Sequence, residues 1–225
     1  MEKSPPPQIS QSPEPLPNKK GLWKGLWGTE YDHTRKEDMF LVTFQHLHNE
    51  GQLGRVIVDI GSGKYPVTRH LPPEAQVKVI AVDIASDEKQ QYPNQLKIRF
   101  DIENLFRDQE ATRAAVSKVG EFLHLDAGQD GALCTPDMQK QIDTIVCSDV
   151  LNYVDYQKVI TSLKTYMKPG ARLILAEMPG RGYKQLHSGA GLDSAYTLES
   201  FLERSGFEIE IRRENWPSLL VAKLV

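Results

Sequence analysis

The chain has 225 residues and a formal net charge of -3, with 40% hydrophobic and 25% charged residues. These values are ordinary for one globular domain plus a tail, and they disfavour a protein that holds nucleic acid mainly through phosphate contacts. No apolar run reaches the roughly 20 residues of a membrane span, and the N-terminus lacks a signal-peptide core. Cys134 and Cys147 have no metal-ligand companions nearby. The composition therefore predicts a cytoplasmic protein without a metal site.

The first 54 residues contain three predicted segments. Residues 1–20 are rich in Pro, Ser and Gln and predict a disordered tail, the alternative being a proline-rich ligand for an aromatic groove. Residues 21–54 are expected to form a lid and a helix. The lid contains a Gly-Leu-Trp repeat, and its Trp23 and Trp27 either cover the core or contact a membrane surface. A helix from 34 to 49 is predicted by one apolar face made of Phe40, Leu41, Phe44 and Leu47.

From residue 55 onward, short apolar strands alternate with helical patterns, which is typical of an α/β fold with a mainly parallel sheet covered on both faces. The predicted strands are 55–60, 77–82, 96–101, 142–147, 171–176, 207–212 and 218–225. The last two are separated by a short turn and should pair as an antiparallel hairpin. The stretch 107–140 is long for one crossover, so we expect a helix and a flexible loop at 126–131 within it.

Two helices complete the pattern of the second half. The first has apolar residues at helical spacing from Tyr156 to Met167 and is expected to stop at the breaker pair Pro169-Gly170. The second is predicted near 197–205, just before the hairpin.

The first predicted strand ends in Asp59-Ile60-Gly61-Ser62-Gly63. Glycine allows a ligand to approach the backbone closely, and open α/β sheets bind ligands at the carboxyl ends of their strands. The second strand ends at Asp83, roughly twenty residues later, where a carboxylate is placed to accept hydrogen bonds from ribose hydroxyls. The two features predict a nucleoside-binding domain.

Two common glycine-rich motifs, the P-loop and the dinucleotide-binding fingerprint, do not match this sequence. A phosphate-binding P-loop needs a glycine five residues before its Gly-Lys pair and a hydroxyl residue after it, but Val58 and Tyr65 occupy those positions here. A dinucleotide fingerprint needs a third glycine, and Pro66 stands there instead. The chain is therefore not expected to be a P-loop protein or a dehydrogenase.

Taken together, the strand-end segments Asp59 to Gly63, Asp83-Ile84, Asp101-Ile102 and Cys147 to Leu151 resemble the S-adenosylmethionine site of the class I methyltransferase superfamily. The resemblance covers most of residues 30–225. It implies a doubly wound, mainly parallel seven-stranded sheet in which the last strand is inserted antiparallel between the fifth and sixth. It also implies S-adenosyl-L-methionine as the cofactor, bound by a domain spanning 55–225. One departure is Tyr65, which stands where the superfamily often has another glycine.

The same resemblance implies roles on the methionine side of the cofactor. The loop Gly61, Ser62 and Gly63 would pass beside its homocysteine part. Asp59 would orient this loop and accept from the amino group, or simply cap the strand. The backbone of Ser148 would meet that amino group from the other side.

On the adenosine side, Asp83 would accept from both ribose hydroxyls as a charged acceptor. Ile84 would lie against the adenine ring. Asp101 would accept from the adenine amine, beside the backbone amide of Ile102; a plain surface acid is the alternative for Asp101. Tyr31 either reaches the cofactor carboxylate or packs in the core.

For catalysis, we select Asp149 and His187 as candidate bases from a set that also contains Tyr153 and Glu177. Positioning alone can supply about 7–11 kcal/mol of such a barrier, and a general base adds about 10²–10⁴-fold where the acceptor must lose a proton. Asp149 could instead cap a helix, and His187 could be a solvated loop residue. Cys147 is expected to be a small core residue.

The turn Ser148-Asp149-Val150-Leu151 differs from the Asn/Asp-Pro-Pro-aromatic turn associated with methylation of planar base or amide nitrogens. We therefore expect an O- or N-methyltransferase acting on a small molecule, with nucleic acid an unlikely partner. A protein or RNA methyltransferase and a catalytically inactive cofactor-binding scaffold are the alternatives. The sequence leaves the oligomeric state open.

Overall fold

Seven strands form one sheet in the order β3-β2-β1-β4-β5-β7-β6 in the computed structural model of the chain. The structure describes residues 33–63, 66–85, 94–125, 139–177, 195–213 and 218–225. The strands are β1 Val56–Ile60, β2 Lys78–Asp83, β3 Gln95–Arg99, β4 Ile142–Ser148, β5 Met167–Glu177, β6 Phe207–Arg213 and β7 Ser218–Leu224.

The first five strands pair in parallel, whereas β7 is antiparallel to both of its neighbours. This confirms the predicted seven-stranded sheet, its C-terminal hairpin and the insertion of the last strand between the fifth and sixth. The chain reverses its winding between β1 and β4, because β2 and β3 lie on one side of β1 and β4 lies on the other. Such a switch point is where open α/β sheets leave a crevice for ligands.

The helices in the described part of the chain are α1 His33–Asn49, α2 Asn104–Arg107, α3 Gln109–Leu123, α4 Tyr156–Lys164 and α5 Ala195–Arg204. Single 3₁₀ turns cover Val67–His70 and Leu151–Tyr153. No helix in these ranges is both long and apolar enough to cross a bilayer.

The central strands are buried on both faces, which explains their nearly continuous apolar sequences. On one face, Val58, Ile145 and Leu173 join a core that includes residues of α4 and α5. On the other face, Ile57, Val146 and Ile174 pack with α1. The α1 side of that core consists of the buried residues Phe40, Phe44 and Leu47. Helices therefore cover both faces, as predicted, although Leu41 does not share the buried face of α1 and is 47% exposed.

Two predicted boundaries were wrong. Strand β3 ends at Arg99, and the chain turns at Asp101, whose carbonyl accepts from the Asn104 amide at 2.9 Å. Helix α4 ends at Lys164, after which Met167 already pairs with Ile142 in the sheet. Pro169 and Gly170 therefore lie inside β5, at a register irregularity where Gly170 adopts φ +79. They interrupt a strand and do not end a helix.

The described residues all belong to one compact unit, 32–225. The predicted tail 1–20, Trp23, Trp27 and the loop 126–131 lie outside the described residues, so the domain boundaries at 20 and 54 stay predictions.

Candidate active site

The glycine turn after β1 is bonded to the end of β2. The amides of Gly61 and Ser62 both donate to the carbonyl of Val82, at 2.8 and 3.2 Å. Gly61 has φ +73, and a Cβ built on it would lie only 2.1 Å from Cγ2 of Val150. Any side chain at this position would collide with the segment that follows β4. Packing and backbone conformation together therefore require glycine at residue 61.

Gly63 has a different environment. It has φ +53, and a Cβ placed on it would meet no described residue closer than the Gly61 carbonyl oxygen at 3.9 Å. Its amide donates to Oδ2 of Asp83 at 3.0 Å, while Oδ1 of the same carboxylate accepts from Ala85 at 2.7 Å. Among the described residues, Gly63 therefore has no close neighbour at its Cβ position, and it lies beside a partly exposed acid.

Asp59 is 1% exposed, and its Oδ2 accepts from both the amide and the hydroxyl of Thr68, at 3.2 and 2.9 Å. Thr68 lies on the 3₁₀ turn that follows the glycine loop. Because a buried carboxylate needs hydrogen-bond donors, this pair fixes the far end of the loop to β1. The orienting role of Asp59 and its contact with the amino group of a cofactor both stay predictions.

The segment after β3 carries the second predicted acid. Oδ1 of Asp101 accepts from the Glu103 amide at 3.1 Å, which holds the turn leading into α2. Ile102 is buried in the core, and Ile84, after β2, is half-buried. The carbonyl of Ile84 accepts from Nε of Arg99 at 3.3 Å. The acids predicted to bind ribose and adenine thus follow neighbouring parallel strands at one sheet edge.

Strand β4 delivers Ser148 and Asp149 to the same edge. Ser148 is the last residue of the strand, and its carbonyl oxygen lies 3.6 Å from the Cβ position of Gly61. Asp149 is 3% exposed and left-handed, with φ +54, and its amide donates to the Ala176 carbonyl at 2.9 Å. Asp149 does not cap the next helix, α4. The N-cap of α4 is Asp155, whose side chain accepts from the Lys158 amide.

The structure thus brings the glycine loop together with the ends of β2 and β4. Other predicted residues lie outside the described part of the chain: Tyr31, Tyr65, Cys134 and His187, as does the side chain of Glu177. Cys147 is buried in β4, as expected.

The sequence analysis assigned no role to three residues that make these contacts, Thr68, Glu103 and Val150, although Val150 lies in the strand-end segment Cys147 to Leu151. Glu103 directly follows the Asp101-Ile102 pair, so its position in a strand-end segment was a usable signal. The contacts of Thr68 with Asp59 and of Val150 with Gly61 depend on the fold and leave no local pattern.

This edge fits an adenosyl cofactor. Gly63 leaves room where a Cβ would otherwise stand, and the acids of two adjacent strand ends supply acceptors suited to ribose and an exocyclic amine. A carboxylate has about four acceptor sites, so Asp83 can hold Gly63 and Ala85 and still accept from a ligand hydroxyl.

Residues 31–211 match the family model described as "Methyltransferase domain". A solved structure with a similar fold is the Burkholderia thailandensis 1,6-didemethyltoxoflavin-N1-methyltransferase with bound 1,6-didemethyltoxoflavin and S-adenosylhomocysteine. It has a TM-score of 0.56 and 14% identity, with 96% of this chain and 93% of that chain covered.

The CMeT domain of the citrinin polyketide synthase gives a TM-score of 0.60 at 12% identity, covering 95% of this chain and 57% of that one. The CurJ carbon methyltransferase gives 0.51 at 16% identity, covering 76% and 49%. At sequence identities this low, the similarity to these three structures shows a shared fold and nothing more. A comparison with curated protein sequences gave no significant match.

Proposed function

The chain belongs to the methyltransferase domain family, and from this premise we propose that it transfers a methyl group to an oxygen or nitrogen of a small-molecule acceptor. It is an S-adenosylmethionine-dependent methyltransferase with the class I fold. The observation on which the site assignment depends is the hydrogen bond between the Gly63 amide and the Asp83 carboxylate, because it joins the glycine loop after β1 to the end of β2.

When bound, S-adenosyl-L-methionine supplies a methyl group that its sulfonium has already made electrophilic. The chain's own residues then have to bind and orient. In the proposal, Asp83 accepts from the ribose hydroxyls, and Asp101 and Ile102 hold the adenine ring. The backbone of Gly61, Ser62 and Gly63 passes beside the homocysteine part, and Ser148 meets the amino group from the β4 side.

Asp149 is the proposed proton acceptor for acceptors that carry an acidic O–H or N–H. Its buried position after β4 places it between the glycine turn and the end of β5, since its neighbour Val150 contacts Gly61 and its own amide bonds Ala176. Its left-handed conformation, φ +54, is one that Asp and Asn adopt more readily than other non-glycine residues, so the support for its role comes from its position.

The small-molecule acceptor is favoured by the turn after β4. Ser148, Asp149 and Leu151 are buried in it, and the turn lacks the proline pair and aromatic residue associated with methylation of planar nitrogens. The fold neighbour solved with 1,6-didemethyltoxoflavin is consistent with this class of acceptor. The cytoplasmic location predicted from composition belongs to the same proposal.

A turnover screen tests the acceptor class. Purified protein would be incubated with methyl-labelled S-adenosylmethionine and, separately, a metabolite extract, total protein or total RNA. We expect label in a small molecule, at an O or N position located by mass spectrometry. Label in protein or RNA, or on carbon, would contradict the acceptor proposal while leaving the enzyme class intact. Calorimetric binding of S-adenosylhomocysteine without turnover in any extract would identify a scaffold instead.

A further inference from the structure

Glu103 is completely buried, and its carboxylate contacts two elements. The residue is 0% exposed and lies at the start of α2. Its Oε1 accepts from the backbone amide of Asp155 at 3.2 Å, and its Oε2 is 2.8 Å from Nη1 of Arg107. A charged carboxylate is costly to bury unless it is paired and hydrogen-bonded, so these contacts determine where the side chain can lie.

The backbone amide and the side chain of Glu103 contact two different segments of the candidate site. On one side, the Glu103 amide donates to Asp101, so the acid sits directly on the turn that carries the predicted adenine contacts. On the other side, Asp155 begins α4 and ends the segment that started at Asp149. Glu103 thereby connects the segment after β3 with the segment after β4, across 52 residues of sequence.

The connection continues to the glycine loop. Val150, in the segment that Glu103 holds at Asp155, packs against Gly61 so closely that no Cβ fits between them. A displacement of the segment 149–155 would therefore change the space beside the glycine loop as well as the distance to Asp101. One buried acid thus connects the loops that follow β1, β3 and β4.

We propose that Glu103 is a positioning residue for the cofactor: it fixes the segment carrying Asp101 and Ile102 against the segment carrying Asp149 and Val150, and so sets the affinity for the adenosyl group. This inference rests on the proposed function, because it assigns Glu103 to the same site. It predicts that the residue acts on ligand affinity and not on folding stability alone.

The test compares Glu103→Gln and Glu103→Ala with a matched control, Glu199→Gln. Glu199 is also a buried acid, 5% exposed, and it pairs with Arg212 of β6, four sheet positions from β1. Gln at residue 103 keeps the side-chain shape and an acceptor for Asp155 but loses the charge opposite Arg107. Ala removes both contacts, and the Gln variant keeps the test decisive if the Ala variant does not fold.

The measurement is calorimetric affinity for adenosine and for S-adenosylhomocysteine, at a temperature where circular dichroism shows each variant folded. We expect both affinities to fall by a similar factor, on the order of tenfold for Ala and less for Gln, because the adenosine part is common to both ligands. Glu199→Gln should lower the melting temperature and leave both affinities unchanged.

Three outcomes are distinct. If the parent binds both ligands and the Glu103 variants bind equally well, this inference is wrong and the proposed function stands. If Glu199→Gln weakens binding as much as Glu103→Gln, the effect is general destabilisation and the positioning role is again refuted. If the parent binds neither ligand, the proposed function fails and the assignment of Glu103 fails with it.

Discussion

The carboxylate of Asp83 accepts a hydrogen bond from the amide of Gly63, twenty residues earlier in the chain, at 3.0 Å. This contact joins the glycine turn after β1 to the end of β2. A single acid is thereby placed both to shape the loop and to meet a ligand that lies on it.

Asp83→Asn should weaken S-adenosylhomocysteine binding by about ten- to a hundredfold, since a hydrogen bond to a charged group contributes about 1.5–3 kcal/mol. The measurement is titration calorimetry. Asn keeps one carbonyl acceptor for Gly63, so the loop itself should persist.

Asp143→Asn is the matched control for that experiment. Asp143 also accepts from two backbone amides, those of Arg55 and Val56, but it lies at the amino ends of β1 and β4, the opposite sheet edge. The Asp143→Asn substitution should lower the free energy of unfolding without changing the affinity for S-adenosylhomocysteine. Unchanged binding by Asp83→Asn would remove the basis for the cofactor site.

The two loop glycines should respond differently to alanine. Gly61→Ala combines left-handed strain of about 1–2 kcal/mol with overpacking against Val150 of about 1–3 kcal/mol, so we expect a loss of roughly 2–5 kcal/mol in the free energy of unfolding. Urea denaturation measures this loss.

Gly63→Ala should cost only the strain, about 1–2 kcal/mol, because its Cβ meets no close neighbour among the described residues. Its methyl group would nevertheless occupy the space beside the loop, so we expect cofactor affinity to fall well beyond what the stability change explains. A Gly63→Ala protein that binds S-adenosylhomocysteine like the parent would show that no ligand passes there.

Thr68→Val should reduce the free energy of unfolding by about 1.5–3 kcal/mol, because it removes the hydroxyl that donates to the buried carboxylate of Asp59. Thr144→Val is the control: this threonine is also buried, but its hydroxyl donates to the neutral carbonyl of Leu53, so the expected loss is about 0.5–1.5 kcal/mol. The losses in the free energy of unfolding of the two variants are compared by thermal unfolding. Equal losses would contradict the stronger hydrogen bond expected between Thr68 and the Asp59 carboxyl group.

Asp149→Asn tests the proposed proton acceptor. Asn tolerates the left-handed conformation about as well as Asp, so the backbone at φ +54 should be kept. If the carboxylate accepts a proton from the acceptor, kcat should fall by about 10²–10⁴-fold while S-adenosylhomocysteine affinity stays constant. Full activity in Asp149→Asn would restrict this residue to a structural role in the turn.

The parts of the fold and site that could be predicted are those that leave a pattern within a short stretch of sequence. The apolar runs ending in Asp59 to Gly63 and in Asp83 predict the strands, and parallel strands present their carboxyl ends at one edge, whereas the place of the last strand was implied only by the family resemblance. The hairpin was equally readable, since only a short turn separates its strands. Helical spacing alone, however, extended α4 to Met167, although that buried side chain reaches the core from β5.

The missed contacts are those that join segments distant in sequence. Nothing near Glu103 indicates that its carboxylate bonds residue 155, and nothing near Gly61 indicates Val150 as its neighbour. Such contacts arise because loops from different strands meet at the carboxyl edge of the sheet. They can therefore be predicted only once the strand order is known.

The position of β7 has a consequence for biosynthesis. Because β7 lies between β5 and β6, the earlier-made β6 borders the sheet only through a strand that the ribosome has not yet delivered. In the growing polypeptide, residues 207–213 must therefore wait, unpaired, until 218–224 emerge. Nascent chains stalled before that point should expose an unpaired strand, and unpaired strand edges make folding intermediates prone to aggregation.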